Sequence, residues 1–364
     1  MGKIRCAVVG VGNCFAGLVQ GIEYYKQNPD QKVIGMMHEE MGGYSIHDLD
    51  FVAAFDVDSK KVGMPLSEAV YAKPNKVHWV DKLSTMQDVI VKQSPRLDGV
   101  GMYVNKVVNP VEDKATEELK QEVMKELKEK NVEILVSYLP VGADRATQFW
   151  AQTCLDANVG FVNCMPSFIG SDLEWAEKFK KANIPIVSDD IKGQVGATIV
   201  HRKMAKLCDD RGTKIDKTYQ INVGGNTDFL CMKEQERLTS KKISKTESVQ
   251  SQLKERLPED RIYVGPSDFI PFLGNTKLMF MRIEGRMWAN MPFNMEVRLE
   301  VDDKANSAGI VIDAIRAVKI ALDRKIGGVL IGPSAYLMKH PLKQMSDDEA
   351  RQEFEKFIQG ENQS

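Results

Sequence analysis

The sequence predicts an α/β protein: a doubly wound parallel sheet with an inserted α+β region that carries a mainly antiparallel sheet. Three observations predict it. A short apolar strand, a glycine turn and an amphipathic helix follow one another at the start, in Lys3-Ile-Arg-Cys-Ala-Val-Val-Gly-Val-Gly-Asn-Cys-Phe-Ala-Gly-Leu-Val-Gln-Gly21. Strand-like and helix-like segments then alternate to about residue 200, the pattern of a parallel sheet with crossover helices. From Lys217 the apolar period changes to two, as in strands with one buried and one wet face. The expected division is residues 1–200 with 306–364 as one discontinuous domain, and 201–305 as the domain inserted into it.

Each element follows from its local pattern. Ile4, Ala7, Val8 and Val9 form the first strand, Gly10 and Gly12 the turn, and Phe15, Leu18, Val19 and Ile22 one face of the first helix. Glycines there let the backbone approach a pyrophosphate, and the helix start offers free N–H groups, so the unit is Rossmann-like. The third glycine of G-x-G-x-x-G is replaced by Phe15, and an ordinary strand-to-helix turn would carry the same two glycines. Residues 28–50 extend the loop before a second strand, Phe51 to Asp56. An acid at that strand end suits the adenosine ribose; a capping role is the plainer alternative. A strand is expected at Asp98–Val104, a charged amphipathic helix at Val111–Lys130, and strands at Val132–Leu139, Gly160–Pro166 and Ile184–Asp190. The strand ends, where ligands gather in such folds, carry Gly12, Asp56, Leu139, Pro140, Gly142, Asn163 and Asp189-Asp190. Beyond them, Thr218–Gly225, Leu278–Trp288 and Asn294–Val301 read as strands, and helices are expected at Ile310–Arg324 and Asp347–Ile358.

Composition excludes several classes. With 364 residues, 43% hydrophobic and 27% charged, the chain is long enough for two domains. A net charge of -2 gives no basic footprint for nucleic acid. No apolar run approaches the roughly 20 residues of a membrane span. The chain enters a strand at once, so no signal peptide is expected. Cys6, Cys14, Cys154, Cys164, Cys208 and Cys231 make no C-x-x-C pair, which points to buried, reduced thiols in a cytoplasmic protein. The five histidines show no zinc spacing, and the sequence leaves any metal unassigned.

Three stretches could carry chemistry. Asp189-Asp-Ile-Lys-Gly-Gln-Val-Gly-Ala-Thr198 puts glycine and a hydroxyl at a helix start, a second phosphate cradle or a simple capped helix. Asn222-Val-Gly-Gly-Asn-Thr-Asp228 ends a strand with amides and an acid, suited to a polyhydroxylated ligand or to an Asx turn. Ser240-Lys-Lys-Ile-Ser-Lys-Thr246 places Lys241 and Lys245 on one helix face; alone it could be a solvated charge run. Lys277 and Lys339 lie in otherwise apolar or structured surroundings. Clustered, desolvated lysines would let one amine take a proton while another stabilises an oxyanion.

Taken together these motifs resemble the myo-inositol-1-phosphate synthases, of the shorter type found in bacteria and archaea. The matching stretches are Gly10 to Cys14, Phe55 to Asp58, Tyr138 to Gly142, Phe161 to Pro166, Asp189 to Lys192 with Gln194 to Thr198, Asn222 to Leu230, Ser240 to Thr246, Gly265-Pro-Ser-Asp268 and Asn306 to Gly309. They follow the family's order from residue 4 to about 342. The resemblance implies that D-glucose 6-phosphate becomes 1D-myo-inositol 3-phosphate. Bound NAD oxidises the C5 hydroxyl, the ketone acidifies C6, the enolate attacks the C1 aldehyde, and the hydride returns. It implies catalytic roles for Lys241, Lys245, Lys277 and Lys339, with Asp190 orienting one of them. Gln194, Gly196 and Thr198 with Lys245 would hold the substrate phosphate, and Asn222, Asn226 and Asp228 would line the sugar site. Gly10, Gly12, Asn13 and Asp56, with Leu139, Pro140, Gly142 and Asn163 at the neighbouring strand ends, would hold NAD. Gly193 stands where the family often has a small polar residue. A homotetramer assembled through the inserted sheet is implied, as is a divalent ion in some members and a monovalent one in others.

Two other readings compete. A NAD-dependent sugar-phosphate dehydrogenase would need one acid/base group, not four lysines, and would accumulate NADH. A non-catalytic NAD-binding paralogue would have lost the matched lysines, which are all present.

Overall fold

In the computed structural model, which describes residues 2–265 and 268–362, the chain begins with β1 (Ile4–Val9) and α1 (Asn13–Gln27) on either side of the glycine turn. Pro266 and Ser267 of the Gly265-Pro-Ser-Asp268 stretch lie outside the described residues. Next come β2 (Leu49–Asp56), the single turn α2 (Leu66–Ala69), β3 (Val91–Gln93) and α3 (Thr116–Glu129). They are followed by β4 (Ile134–Ser137), α4 (Asp144–Ala157), β5 (Gly160–Asn163), α5 (Leu173–Ala182) and β6 (Pro185–Val187). A second group runs α6 (Ala197–Asp210), β7 (Lys214–Gly224), α7 (Thr227–Cys231), α8 (Thr239–Gln250), β8 (Ile262–Val264), β9 (Asp268–Phe269), β10 (Thr276–Arg286) and β11 (Pro292–Asp302). The chain closes with α9 (Ala305–Asp323), β12 (Gly328–Val329), α10 (Ile331–Leu337) and α11 (Asp347–Gln359).

Among the described residues, seven strands form a parallel sheet in the order β12-β6-β5-β4-β1-β2-β3. The winding reverses between β1 and β4, which opens a crevice at their C-terminal ends. Register there is set by Val9, which lies beside Phe55 on one side and Ser137 on the other. The sheet is buried on both faces, as its unbroken apolar strands require. One face packs Ile4, Cys6 and Val8 against α1, α9, α10 and α11; the other packs Ala7, Val9 and Leu135 against Val123 of α3, Trp150 of α4 and Phe179 of α5. Helix α9 is buried nearly all round. Its Arg316 pairs with Asp313 and donates to the carbonyls of His38 (2.8 Å) and Tyr44 (3.0 Å). That buried cation moulds the loop over residues 28–50.

The second sheet has the order β11-β10-β7-β8 with β9 also beside β7. Its long pairs, β10 with β11 and with β7, are antiparallel, while the short β8 and β9 run parallel to β7. It is thus mixed. Met279, Met281 and Ile283 face Ala205 and Val249 of α6 and α8, as their period-two spacing predicts.

One expected strand is absent. Residues 98–104 form turns, and the third strand on that side is β3. The apolar alternation of Val100, Met102 and Val104 is overridden by tertiary ties. Asp98 accepts from the amides of Arg145 (2.7 Å) and Ala146 (2.9 Å) at the start of α4. The Gly99 amide closes a turn on the Arg96 carbonyl (2.7 Å). The helix expected from Val111 starts only at Thr116, because the Val111 amide donates to the Val57 carbonyl (2.8 Å) and holds that segment extended.

Candidate active site

Two cavities adjoin at the β1–β4 crevice, and Cys14, Tyr138, Asp228 and Lys304 belong to the walls of both. The first lies over the glycine turn. Gly10 has φ +90, and a Cβ there would come 2.6 Å from the Tyr138 carbonyl oxygen, so only glycine fits. Gly12 precedes α1 in extended conformation, with open space where a side chain would be and no side chain capping the helix. The first amides of α1 thus face the cavity. Asn13, Asp56, Leu139 and Pro140 also line it. Asp56 accepts from the amides of Val11 (2.7 Å), Val57 (2.7 Å) and Asp58 (2.9 Å), so its carboxylate shapes the turn itself. Asn13 accepts from the Lys76 amide (2.6 Å) and donates to Thr227 (3.2 Å).

The structure keeps two expected cofactor residues away from this cavity. Gly142, at φ +76, packs beside Arg237, and a Cβ there would lie 2.6 Å from the Arg237 Cβ. Asn163 is buried and donates to the Ser167 carbonyl and the Asp189 carboxylate, both at 2.7 Å.

The second cavity gathers Lys241 and Lys245 from α8, Lys277 from β10, Lys339 just after α10, and Asp190 just after β6. Asp190 has φ +64 and is ion-paired to Lys339 at 2.7 Å; it also accepts from Ser244 at 2.6 Å. Lys277 pairs with Asp303 at 3.2 Å. Gly196 and Thr198 form the start of α6 on the wall, and no side chain caps that helix. Asn222 and Asp228 line the wall as well. A Cβ at Gly193 would lie 2.7 Å from Asn306 Nδ2, so a side chain there would have to displace the Asn306 amide. Gln194 and Asn226 are not on the wall. The Gln194 side chain donates to the Gly35 carbonyl, and its amide to the Asn306 carbonyl at 2.8 Å. Asn226 caps α7 through the Asp228 amide (3.0 Å) and donates to Asp303 (3.2 Å).

Electrostatics divides these groups into two kinds. Burial, then the neighbouring charges of Lys241, Lys277 and Lys339, hold the Lys245 amine well below the ordinary lysine range. Burial also lowers Lys241, against the partial opposition of Asp228 and Asp190. Burial pushes Asp190 up, but Lys339 and Lys241 outweigh it and hold its carboxyl below the usual range. Asp228 is likewise held low, burial being outweighed by Lys304 and Lys241. The wall therefore combines ionised carboxylates with an amine that gives up its proton easily, a combination suited to proton transfer beside a developing negative charge.

Sequence reasoning missed Lys304, Asp303 and Lys192. Lys192 is buried, donates to the Ala335 carbonyl at 2.8 Å, and is held well below the ordinary range by burial and then by Arg202. It sits in the Asp189-Asp-Ile-Lys192 stretch, which was a usable signal. Lys304 follows an acidic pair with no apolar pattern to mark it. Among the described residues, no cluster of three or more His, Cys, Asp or Glu could hold a metal ion, and no helix is long and apolar enough to cross a membrane. All six cysteines are free.

A family model described as Myo-inositol-1-phosphate synthase matches residues 196–304. The inositol-3-phosphate synthase of Mycolicibacterium smegmatis is 52% identical over 364 residues and is covered, like this chain, to 99%. That of Mycobacterium tuberculosis is 51% identical over 359 residues, covering 98% of this chain and 96% of the relative. The crystal structure of a myo-inositol-1-phosphate synthase-related protein from Thermotoga maritima superposes with a TM-score of 0.82 over 98% of both chains; at 23% identity the likeness is one of fold.

Proposed function

Because this chain belongs to the myo-inositol-1-phosphate synthase family, an isomerase family, we propose that it cyclises D-glucose 6-phosphate to 1D-myo-inositol 3-phosphate with bound NAD. The single observation that carries the reading is the meeting of four lysines and Asp190 in a cavity that shares a wall with a glycine cradle. The cradle suits a dinucleotide: Gly10 admits no side chain, and the first turn of α1 is open to a pyrophosphate. When bound, NAD would supply a hydride acceptor at the start of the reaction and a hydride donor at its end. The chain's own residues supply the rest. The start of α6, with Gly196 and Thr198, would take the sugar phosphate together with Lys245. Asn222 and Asp228 would hold sugar hydroxyls. The neutral Lys245 amine would take a proton, while Lys241, Lys277 and Lys339 would offset enolate and alkoxide charge. Asp190 would hold the Lys339 ammonium in place.

The inserted unit, residues 201–305, is proposed to carry most of the lysines and to join subunits into a homotetramer in the cytoplasm. Exposed Tyr219, Tyr263 and Phe280 on the outer face of the second sheet support the assembly.

The decisive experiment follows glucose 6-phosphate with the NAD-loaded protein by phosphorus and carbon NMR while absorbance reports NADH. Inositol phosphate formed without net NADH is the expected result. Stoichiometric NADH would instead indicate a sugar-phosphate dehydrogenase, and NAD binding with no product would indicate a non-catalytic paralogue.

A further inference from the structure

The ammonium of Lys304 is placed against local preference twice. Lys304 immediately precedes α9, where the positive end of a helix favours a carboxylate over a cation. Its side chain is also buried, although an ammonium strongly prefers water. The fold nevertheless makes room for it. The stem crosses α1 at Gly17, where a Cβ would stand 3.1 Å from the Lys304 Cβ. The Nζ atom then lies 2.7 Å from Asp228 Oδ2, 3.1 Å from Asp303 Oδ2 and 3.4 Å from Cys14 Sγ.

Helix formation does not explain this arrangement. Asp302 already serves the start of α9, accepting from the amides of Lys304 and Ala305 at 2.9 Å each. Stability does not require it either, since apolar groups of similar volume often replace a buried ion pair without loss. What distinguishes Lys304 is its position on the wall common to both cavities. Asp228 and Asp303 would otherwise turn two carboxylates toward the place where an anionic dinucleotide and an anionic sugar phosphate must meet. A positive charge there lowers that repulsion.

The residues present do not fit a resident metal ion at this point. Lys304 takes one oxygen of each carboxylate, and Lys277 takes the second oxygen of Asp303. Burial pushes the Cys14 thiol up to about 12, so it remains a neutral group and not a thiolate ligand.

We propose that Lys304 is the built-in cation of this site, its ammonium occupying the position between Asp228 and Asp303 that a mobile metal or monovalent ion would otherwise take. Turnover of this chain is then independent of added ions. The inference rests on the cyclisation proposed above for its activity readout, but not for its binding readout.

The test uses the NAD-loaded protein, treated with chelator and exchanged into a buffer with tetramethylammonium as its cation. Magnesium, zinc and potassium are titrated calorimetrically, and turnover of glucose 6-phosphate is measured with and without each. The unsubstituted protein is expected to bind none of the three at the site and to change in rate by less than about twofold. Lys304→Ser vacates the position. Its rate is expected to fall at least about tenfold, while it gains roughly one bound ion per chain and recovers much of the rate when that ion is added. Lys304→Met fills the space without charge, and is expected to lose the same rate with neither binding nor recovery. An ion requirement in the unsubstituted protein, or full turnover in Lys304→Met, would overturn the proposal. If Lys304→Ser fails to fold by circular dichroism, Lys304→Met and the unsubstituted protein decide between these outcomes. If no form turns over glucose 6-phosphate, the reaction assignment fails, and ion binding gained in Lys304→Ser still supports Lys304; its absence in a folded Lys304→Ser overturns it.

Discussion

Lys245 shows how a residue acquires reactivity from its surroundings. It lies one helical turn from Lys241 on α8, buried, with two more lysines facing it. Burial and like charge both favour its neutral form. Lys245→Ala is expected to cut kcat by about a thousandfold while NAD affinity, measured by fluorescence titration, changes little. Lys245→Arg is expected to be equally inactive, because a guanidinium keeps its proton. The neutral fraction of Lys245 grows as pH rises through its lowered value, so turnover should climb with pH and level off below the ordinary lysine value of 10.5. A Lys245→Ala enzyme with normal turnover would remove this residue from the chemistry. Asp56 acts differently, through the backbone. Its carboxylate holds three amides of the glycine turn and the strand end, so Asp56→Ala is expected to weaken NAD binding about tenfold. Unchanged affinity would separate Asp56 from the cofactor site.

At the scale of elements, the packing of α6 on β7 buries a histidine. His201 Nε2 lies 2.9 Å from Thr218 Oγ1, which itself donates to the Arg282 carbonyl. Burial lowers the His201 pKa from 6.5 to about 4. Between those values the unfolded chain binds a proton that the folded chain refuses, so stability is full above pH 6.5 and falls as pH drops toward 4. Going from pH 7 to pH 5 should cost about 2 kcal/mol through this residue. Asp189, which burial pushes up to about 6, acts in the opposite direction over part of that range. Comparison with His201→Gln cancels the Asp189 contribution, since both proteins carry it. Urea unfolding at the two pH values should show the acid loss to be smaller in His201→Gln, and equal losses would contradict the assignment. The element scale is also where local pattern misled. Residues 98–104 alternate like a strand, but Asp98 is committed to α4 and Gly99 to a turn, and β3 takes the sheet edge instead.

Over the whole molecule, the second sheet is covered on one face only. Its inner face packs on α6 and α8, while Tyr219 and Tyr263 stand in register on the outer face with Phe280 nearby. Trp288, in the turn between β10 and β11, is 93% exposed. Exposed aromatics on one sheet face suit an interface, and this face is the one proposed to join the subunits. If the proposed homotetramer forms through this face, Phe280→Glu is expected to shift the mass seen by light scattering from that of a tetramer to smaller species, and a tetramer mass unchanged by the substitution would place the interface elsewhere.

The amino-acid sequence by itself determined the parallel winding, the glycine turn, the period-two strands and the pairing of Lys241 with Lys245 on one helix face. These are short-range features, readable from the spacing of apolar residues and glycines within a few turns or strand lengths. Only the tertiary structure decided that Lys277, Lys339 and Asp190 meet them, that Gln194 and Asn226 turn away, and that Lys304 is buried between Asp228 and Asp303. Those outcomes depend on where distant elements cross. Desolvation and charge interaction act through space, over a few ångströms, between residues that no local window of sequence contains.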